Sequence, residues 1–422
     1  MKTKCILPAF RLLVTVVVVG TMAAMIFSLR SELEEAKVKA RETTRQETNA
    51  AIADRPHVFS MSCKVPSCNK ELNTPEGRAK AIAWWRTNHI TKLWLESYRH
   101  AEWVESKLLK EERDAFRAAG FEVCGMITPT KLNDPPPGGE RPFCTCWSDP
   151  KALERLAAES ARAAKLFDTI IIDDFLFLWC NDKCARCKAM KEQRGIADWS
   201  MFHRELMKEI AWKGIICAGR AVNPKVQFII KYPCWYQDWA KGGYDPVAGT
   251  EMFGACWIGT ETRDANPDAV QGCCLMEAMD RLTGGKCGGG WYDALDCTPE
   301  KFIEQARYTI LGGARESFVH CYDYLLAKDP GSTPFGEKAK NPRACAEAFA
   351  REVDGLAKLA DLLQGAERAG WKWDSGCRVT THCYKKNGLR YLAYQNVTGE
   401  PQKIDGHDLA PHGFLIVEEN ER

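Results

Sequence analysis

The sequence predicts an α/β fold, a (β/α)8 TIM barrel followed by a small C-terminal antiparallel β domain. Two observations predict the barrel. Helix-like amphipathic stretches alternate with short apolar runs from about residue 76 onward, and eight such runs can be counted. A third observation predicts the β domain, because the end of the chain alternates polar and apolar side chains around turn signals such as Lys386-Asn387-Gly388.

The apolar runs define the barrel strands, and the stretches between them define the helices. Gly120 follows an amphipathic stretch and suits a helix C-cap, whereas Ser148 suits an N-cap with Pro150 in the first turn. The predicted strands are, in order, 91–97, 121–128, 143–147, 168–174, 226–233, 251–263, 287–295 and 317–325.

The N-terminal part of the chain differs in composition from the barrel. An uncharged apolar run at 12–29 follows several basic residues and is just long enough to span a membrane. The charged stretch after it has few large apolar residues, which is typical of a linker. The expected parts are therefore 1–29, a signal anchor or signal peptide; 30–75, a charged linker and lead-in; 76–370, the catalytic barrel; and 371–422, the small β domain.

This arrangement predicts where the protein works and what it meets. The N-terminal helix would make the membrane a partner, and the catalytic domain would be periplasmic or extracellular, either membrane-anchored or secreted. The 58 basic residues are balanced by 56 acidic residues, for a net charge of +2. No global field therefore favours nucleic acid as a partner.

The ends of the predicted strands carry the candidate functional residues, because β/α barrels do their chemistry at the C-terminal ends of the strands. Carboxylates, cations and large aromatic side chains converge on this rim. These residues are Glu96, Tyr98, Arg99, Asp173, Asp174, Lys231, Tyr232, Trp257, Glu261, Arg263, Trp291, Tyr292, Asp293, Tyr322 and Asp323.

This mixture of residues points to carbohydrate chemistry. Sugars pack their C–H faces on aromatic rings, and their hydroxyls need carboxylate, Lys and Arg partners. Cleavage of a glycosidic bond needs one protonated and one ionised carboxyl group, and Lys231 beside one acid would keep it ionised. The sequence therefore predicts a glycoside hydrolase that cleaves an O-glycosidic bond of a glycan or oligosaccharide without a cofactor.

The stretch "FDTIIIDDFLFLWC" at 167–180 places Asp173 and Asp174 directly after a buried strand. Two adjacent carboxylates are costly in a core, so we expect the pair to face a cleft. Adjacent side chains on a strand point to opposite faces, so only one can face inward unless the strand has already turned.

The same strand resembles a known group of enzymes. The Asp168 to Asp173 spacing is similar to the nucleophile strand of retaining barrel glycosidases such as α-galactosidases and α-L-fucosidases. "DDFLFLWCNDKCARCK" and "WIGTETR" resemble poorly characterised bacterial glycosidase-like barrels, and the resemblance covers roughly 90–330. It implies that Asp173 is the nucleophile and Asp174 the residue after it. We expect Glu261 to be the acid, with Asp293 and Asp323 as substitutes that otherwise bind hydroxyls.

The remaining rim residues are expected to bind substrate, although ion pairing within the protein and ordinary packing are alternatives for each. These are Glu96, Arg99, Lys231, Trp257, Arg263, Trp291, Tyr292, Asp293, Tyr322 and Asp323. An alternative function is an anionic-sugar hydrolase of the sialidase type, in which Arg99, Lys231 and Arg263 hold a carboxylate. A further alternative is a glycan-binding surface protein without turnover.

The chain has 20 cysteines, and several cluster after the Asp pair. Cys180, Cys184 and Cys187, with Cys144 and Cys146 upstream, favour disulfides that staple this loop, because exported thiols usually oxidise. A structural zinc site is the alternative, although a paired CxxC motif is missing. His89, His100 and His320 are expected to be ordinary hydrogen-bonding residues, and no metal is assigned to the site.

Overall fold

The computed structural model describes residues 56–133, 144–178, 180–181, 183–262, 269–329 and 338–420. The apolar run at 12–29 lies outside these ranges, so membrane attachment stays a prediction. Within them, no helix combines the length and the apolar character that crossing a membrane requires.

The barrel is built from eight parallel strands. They are β1 Val58–Cys63, β2 Ile90–Arg99, β3 Glu122–Ile127, β4 Thr169–Ile172, β5 Gln227–Tyr232, β6 Gly254–Gly259, β7 Cys287–Tyr292 and β8 Glu316–Val319. Each strand pairs with the next, and β1 pairs with both β2 and β8. The sheet is therefore closed, which confirms the predicted barrel. A two-residue strand, Glu102–Trp103, adds antiparallel to the end of β2.

The predicted strand count is right, but two strand assignments are wrong. The region assigned to the linker and lead-in contains β1, whose Ser60 and Ser62 are fully buried and face polar partners inside the barrel. These serines interrupt the apolar residues of the stretch, so its sequence does not stand out as a buried strand. The predicted strand at 143–147 is absent from its described part, because Cys146 and Trp147 are buried in a turn instead.

The helices lie between the strands and pack around the barrel. They are α1 Val65–Lys70, α2 Pro75–Thr87, α3 Ser106–Ala118, α4 Pro150–Ala164, α5 Ala185–Gln193, α6 Trp199–Ile210, α7 Ala218–Val222, α8 Trp239–Gly242, α9 Pro246–Phe253, α10 Ala269–Leu282, α11 Pro299–Leu311, α12 Tyr322–Leu325 and α13 Pro342–Leu363. A π-helical segment, Ala211–Cys217, joins α6 to α7. The N-cap of α4 is Asp149, which accepts from the Lys151 N–H, rather than the predicted Ser148.

The barrel interior is packed and holds a buried ion pair at its N-terminal end. Glu316, at the start of β8, accepts from Lys92 Nζ at 3.0 Å and from Trp94 Nε1 at 2.8 Å. Large side chains fill the middle of the barrel above this pair: Trp94, Cys124, Met126, Ile171, Ile229, Trp257, Trp291 and Phe318. Side chains therefore fill the lower and middle layers of the barrel, so a substrate site is expected at the C-terminal ends of the strands.

The C-terminal part forms the predicted antiparallel β structure. Its strands are β9 Glu367–Asp374, β10 Val379–Lys386, β11 Leu389–Asn396, β12 Gln402–Ile404, β13 His407–Leu409 and β14 Phe414–Asn420. Four of them form one sheet in the order β9-β10-β11-β14, and β12 pairs with β13. The sheet contacts α11, where His412 Nδ1 lies 2.7 Å from Glu304 Oε1 and Arg307 donates to Gln395.

Candidate active site

A buried charged cluster lies at the C-terminal end of the barrel, with Asp173 at its centre. Asp173 is only 1% exposed. Its Oδ1 accepts from Lys231 Nζ at 2.5 Å, and its Oδ2 accepts from Arg99 Nη2 at 2.7 Å and from Thr128 Oγ1 at 2.9 Å. Both oxygens of this carboxylate are therefore held by donors from three different strand ends.

Glu96 on β2 is the second carboxylate of the cluster. It accepts from Arg99 Nε at 2.8 Å, from Thr128 Oγ1 at 2.5 Å and from the Val65 backbone N–H at 3.0 Å. Burial raises the pKa of Glu96, although Arg99 opposes that rise. Arg99 thus bridges two buried acids, Glu96 and Asp173, and is fully committed to them.

The adjacent carboxyls of Asp173 and Asp174 have opposite pKa shifts. Burial opposes ionisation of Asp173, but Lys231 and Arg99 together hold its pKa well below the usual range. For Asp174, burial and the negative charge of Asp173 raise the pKa to about 7. At neutral pH Asp173 is therefore ionised, whereas Asp174 is protonated in a large fraction of molecules.

The end of β4 explains how both carboxyls reach the same place. The strand ends at Ile172, so Asp173 and Asp174 lie beyond the region where side chains alternate between faces. The two carboxyl groups are close enough for the negative charge of Asp173 to act directly on Asp174. Tyr244 donates its hydroxyl proton to the backbone carbonyl of half-buried Asp174 and so supports this turn.

Lys231 links the carboxylate cluster to the aromatic floor of the site. Its ammonium lies 3.9 Å from the Trp291 ring centroid and 5.1 Å from that of Phe318. Next to this floor, His320 lies 2.9 Å from Ser62 Oγ through its Nδ1. Burial and the charge of Lys231 lower the pKa of His320 well below its usual range, so its ring is neutral at pH 7.

Glu261 approaches the same floor from the residues after β6. It is 5% exposed, and Cys234 Sγ donates to its Oε1 at 3.2 Å. A Cβ at Gly259 would lie 2.8 Å from Glu261 Oε2 and 3.2 Å from the Trp291 ring, so glycine is needed for this close approach. Gly259 therefore lies close to both Glu261 and Trp291, the residue whose ring contacts Lys231.

Aromatic side chains line the rim beside Asp174. Phe177 packs against half-buried Trp235 at 6.0 Å and against Tyr244 at 6.1 Å between ring centroids. Trp235 also packs against Tyr244 at 5.6 Å. These rings come from the loops after β4 and β5, and they form an apolar wall next to the acid pair.

A model of the family described as "Probable glycosyl hydrolase, catalytic domain" matches residues 45–341. The chain belongs to this glycosyl hydrolase family. An uncharacterized protein from Saccharolobus solfataricus is 23% identical over 224 residues, which cover 48% of this chain and 37% of that protein. The chain thus spans little more than a third of the length of the curated relative it matches.

Solved structures share the barrel. An α-amylase from Lactobacillus plantarum has a TM-score of 0.51 at 9% identity, and the match covers 89% of this chain and 100% of the amylase. The α-L-fucosidase isoenzyme 2 from Paenibacillus thiaminolyticus has a TM-score of 0.49 at 12% identity, over 75% of this chain and 51% of that one. The family model confirms the predicted glycosyl hydrolase family, and the barrel shared with the α-amylase agrees with the predicted fold.

Several predicted rim residues of this glycosyl hydrolase domain lie away from the cluster. Tyr292 is buried against Phe302 of α11, and Tyr322 contacts Trp85 of α2. Trp257 packs against Trp94 inside the barrel. Asp293 accepts from the nearby Leu295 N–H. Asp323 lies beside the cluster, because it accepts from the Lys64 N–H while the next residue, Val65, donates to Glu96. Arg263 lies outside the described residues.

Two residues of the cluster were missed in the sequence. Thr128 directly follows β3, and its hydroxyl group contacts both Glu96 and Asp173. His320 directly follows β8 and was interpreted as an ordinary hydrogen-bonding residue. Both satisfy the rule that polar residues ending apolar strands face the site, so applying it to every strand would have found them.

The disulfide prediction is wrong for the part of the chain that the structure describes. No two of the seventeen cysteines whose side chains the structure describes lie at disulfide-bonding distance. The loop after β4 is therefore not stapled by disulfides within these ranges.

Proposed function

We propose that this domain hydrolyses O-glycosidic bonds with paired carboxyl groups at the C-terminal end of the barrel. The observation that carries the proposal is the adjacency of an ionised Asp173 and an Asp174 whose pKa is raised to about 7. A carboxyl group whose pKa a neighbouring charge raises to near 7 can act as the general acid of a glycosidase.

The distance between carboxyl groups decides which residues form the reacting pair. Hydrogen-bonded carboxyls lie about 3 Å apart, whereas glycosidase pairs lie about 5–5.5 Å apart in retaining enzymes and about 6.5–9.5 Å apart in inverting ones. Asp173 and Asp174 are consecutive residues whose carboxyl groups act directly on each other, so they are too close to be that pair. A third carboxylate is needed, and Glu261 is the candidate.

Asp173 is too buried and too fully hydrogen-bonded to react with a sugar, which favours Asp174 as the acid. Asp173 is almost completely buried and both of its oxygens are occupied, so attack on a sugar would require breaking its bonds to Lys231 or Arg99. Asp174 is half-buried and holds a proton near pH 7. In this assignment Asp173 is a positioning residue, whose charge sets the pKa of Asp174.

Glu261 completes the reaction from β6. Strands β4 and β6 are separated by one strand, which places their ends about 10 Å apart, so inward-pointing side chains can bracket a sugar. Asp174 gives its proton to the leaving oxygen as the C–O bond breaks. In an inverting reaction, Glu261 removes a proton from the water whose oxygen attacks the anomeric carbon. In a retaining reaction, Glu261 attacks that carbon itself, and water then displaces Glu261 while Asp174 takes up the proton of that water.

The contacts favour uncharged sugars over anionic sugars. Arg99 is bound to Glu96 and Asp173, and Lys231 is bound to Asp173. Two of the three cations that a sialidase-type site would use are therefore already neutralised inside the protein. The half-buried Trp235 beside Asp174 suits the C–H face of a neutral sugar.

The test is a release assay on neutral and anionic aryl glycosides and natural glycans, comparing the native chain with Glu261→Gln. We expect release of neutral sugars, and a loss of kcat/KM of about 10²–10⁴-fold in the variant, because the carboxyl group that attacks the sugar or activates water is removed. Glu154→Gln on the exposed face of α4 is the matched control and should retain activity. Binding of glycans without release by the native chain would reject the hydrolase proposal in favour of a glycan-binding protein.

The pH profile gives an independent prediction. Asp174 must be protonated to act as the acid, and its pKa is raised to about 7. We therefore expect kcat/KM to be high below pH 7 and to fall as the pH rises through about 7. Steady-state rates from pH 5 to about 9 measure this limb; a profile flat across that range would contradict the assignment.

A further inference from the structure

Four cysteines converge beside the loop that carries the acid pair. Cys146 lies in the turn before α4, Cys180 in the loop after β4, and Cys184 and Cys187 at the start of α5. Their Sγ atoms all lie within 4.8 Å of one another. Three of the four side chains are buried and Cys180 is half-buried.

The sulfur distances fit a single tetrahedral metal ion. Cys146 Sγ lies 3.8 Å from both Cys184 Sγ and Cys187 Sγ. Zinc binds thiolates at about 2.3 Å, and a tetrahedron of that size separates its sulfurs by about 3.8 Å. A disulfide would require sulfurs about 2.0 Å apart. An iron–sulfur cluster places several metal atoms between its thiolates and would hold them farther apart.

The surroundings of the sulfurs also suit a metal–thiolate centre. Ser148 Oγ lies 3.1 Å from Cys146 Sγ and 3.2 Å from Cys187 Sγ, so its hydroxyl can donate to a thiolate. The positive N-terminal end of α5 faces the site through Cys184, its N-cap residue. A centre with four thiolates carries net negative charge, and these donors offset it.

The backbone around the cysteines is positioned by other side chains. Asn133 accepts from the Cys146 N–H at 3.1 Å and donates to the Cys146 carbonyl at 3.0 Å. His203 Nε2 lies 2.7 Å from the Cys180 carbonyl oxygen. The thiols are therefore brought together by the fold itself, without a bond between any two of them.

We propose that Cys146, Cys180, Cys184 and Cys187 form a structural zinc site. Four protein ligands leave no open coordination position, so the ion holds structure and does not bind substrate. The site ties the loop after β4 to the start of α4. Trp147, next to Cys146, donates its Nε1 proton to the Phe177 carbonyl at 2.8 Å, which extends this link toward Asp174.

The test is metal analysis of the full chain, purified without added reductant and without a metal-chelating resin. We expect one zinc per chain, with X-ray absorption showing four sulfur ligands at about 2.3 Å. Cobalt reconstitution should give the visible d–d bands of tetrahedral thiolate coordination. Cys184→Ser and Cys187→Ser should lose the zinc, whereas Cys217→Ser, at an exposed position outside the cluster, should keep it.

Three outcomes would overturn the proposal. The first is a metal-free native chain with all thiols reduced. The second is a mass lower by two hydrogens per cysteine pair, which indicates disulfides. The third is bound iron with inorganic sulfide. These results come from the native chain, so they decide the question even if the serine variants fail to fold, and they do not depend on glycosidase activity.

Discussion

Replacing Asp174 by asparagine is expected to lower kcat/KM on natural glycans by about 10²–10⁴-fold, because the asparagine side chain cannot give a proton to the leaving oxygen. Aryl glycosides with strongly acidic leaving groups need little protonation, so the same variant should lose much less activity on them. The fall in activity above about pH 7 should also disappear, since Asp174 is the group whose pKa is raised to about 7.

The measurement compares kcat/KM for two leaving groups in the native chain and in Asp174→Asn. Asp168→Asn is a matched control, because Asp168 is exposed at the opposite end of the same strand and binds Asn223. It should leave both rates unchanged. Equal losses on both classes of leaving group would show that Asp174 is not the acid.

Replacing Asp173 by asparagine is expected to reduce the free energy of unfolding by about 3–5 kcal/mol, because Lys231 and Arg99 lose the carboxylate that compensates them in a buried site. The folded-state pKa of Asp173 is depressed. Its contribution to stability is therefore present above its unfolded pKa, about 3.9, and is lost as the pH falls toward the folded value. Urea unfolding at pH 7 and at lower pH measures both effects.

Activity separates the role of Asp173 from a purely structural one. Without its negative charge, and with Lys231 uncompensated, the pKa of Asp174 should fall and the decline in kcat/KM should move to lower pH. Glu316→Gln breaks a buried ion pair at the other end of the barrel and is the control for lost stability. Both variants should be destabilised, but only Asp173→Asn should shift the pH profile. An unshifted profile in Asp173→Asn would leave Asp173 with a structural role alone.

Much of the site was predictable because the parallel strands of a barrel all end at the same rim. Parallel strands bring their C-terminal ends to one rim, so polar residues after apolar runs are expected to meet there. Glu96, Arg99, Asp173, Lys231 and Trp291 do meet there. Tyr292 and Tyr322 lie elsewhere. Tyr292 follows Trp291 on β7, and adjacent side chains on a strand point to opposite faces, so it packs against Phe302 outside the barrel. Tyr322 already belongs to helix α12 and packs against Trp85.

Strand β1 shows a limit of pattern recognition. Its inward serines bind Glu316 and His320, which are more than 250 residues away in the chain. A strand whose inner face is polar looks like linker until its partners are known. The cysteines show the same limit, since Cys146 joins the others only through the fold of two separate loops.

The sequence by itself determined the alternation of strands and helices, the rim position of the acid pair and the chemical class of the site. Each of these can be predicted from residues that are close together in the chain, because periodicity and strand ends are local features. The tertiary structure decided which acid has a lowered pKa, which has a raised pKa and how the cysteines are arranged. Those properties depend on burial and on charges from other strands, and distances between remote residues exist only in the folded chain.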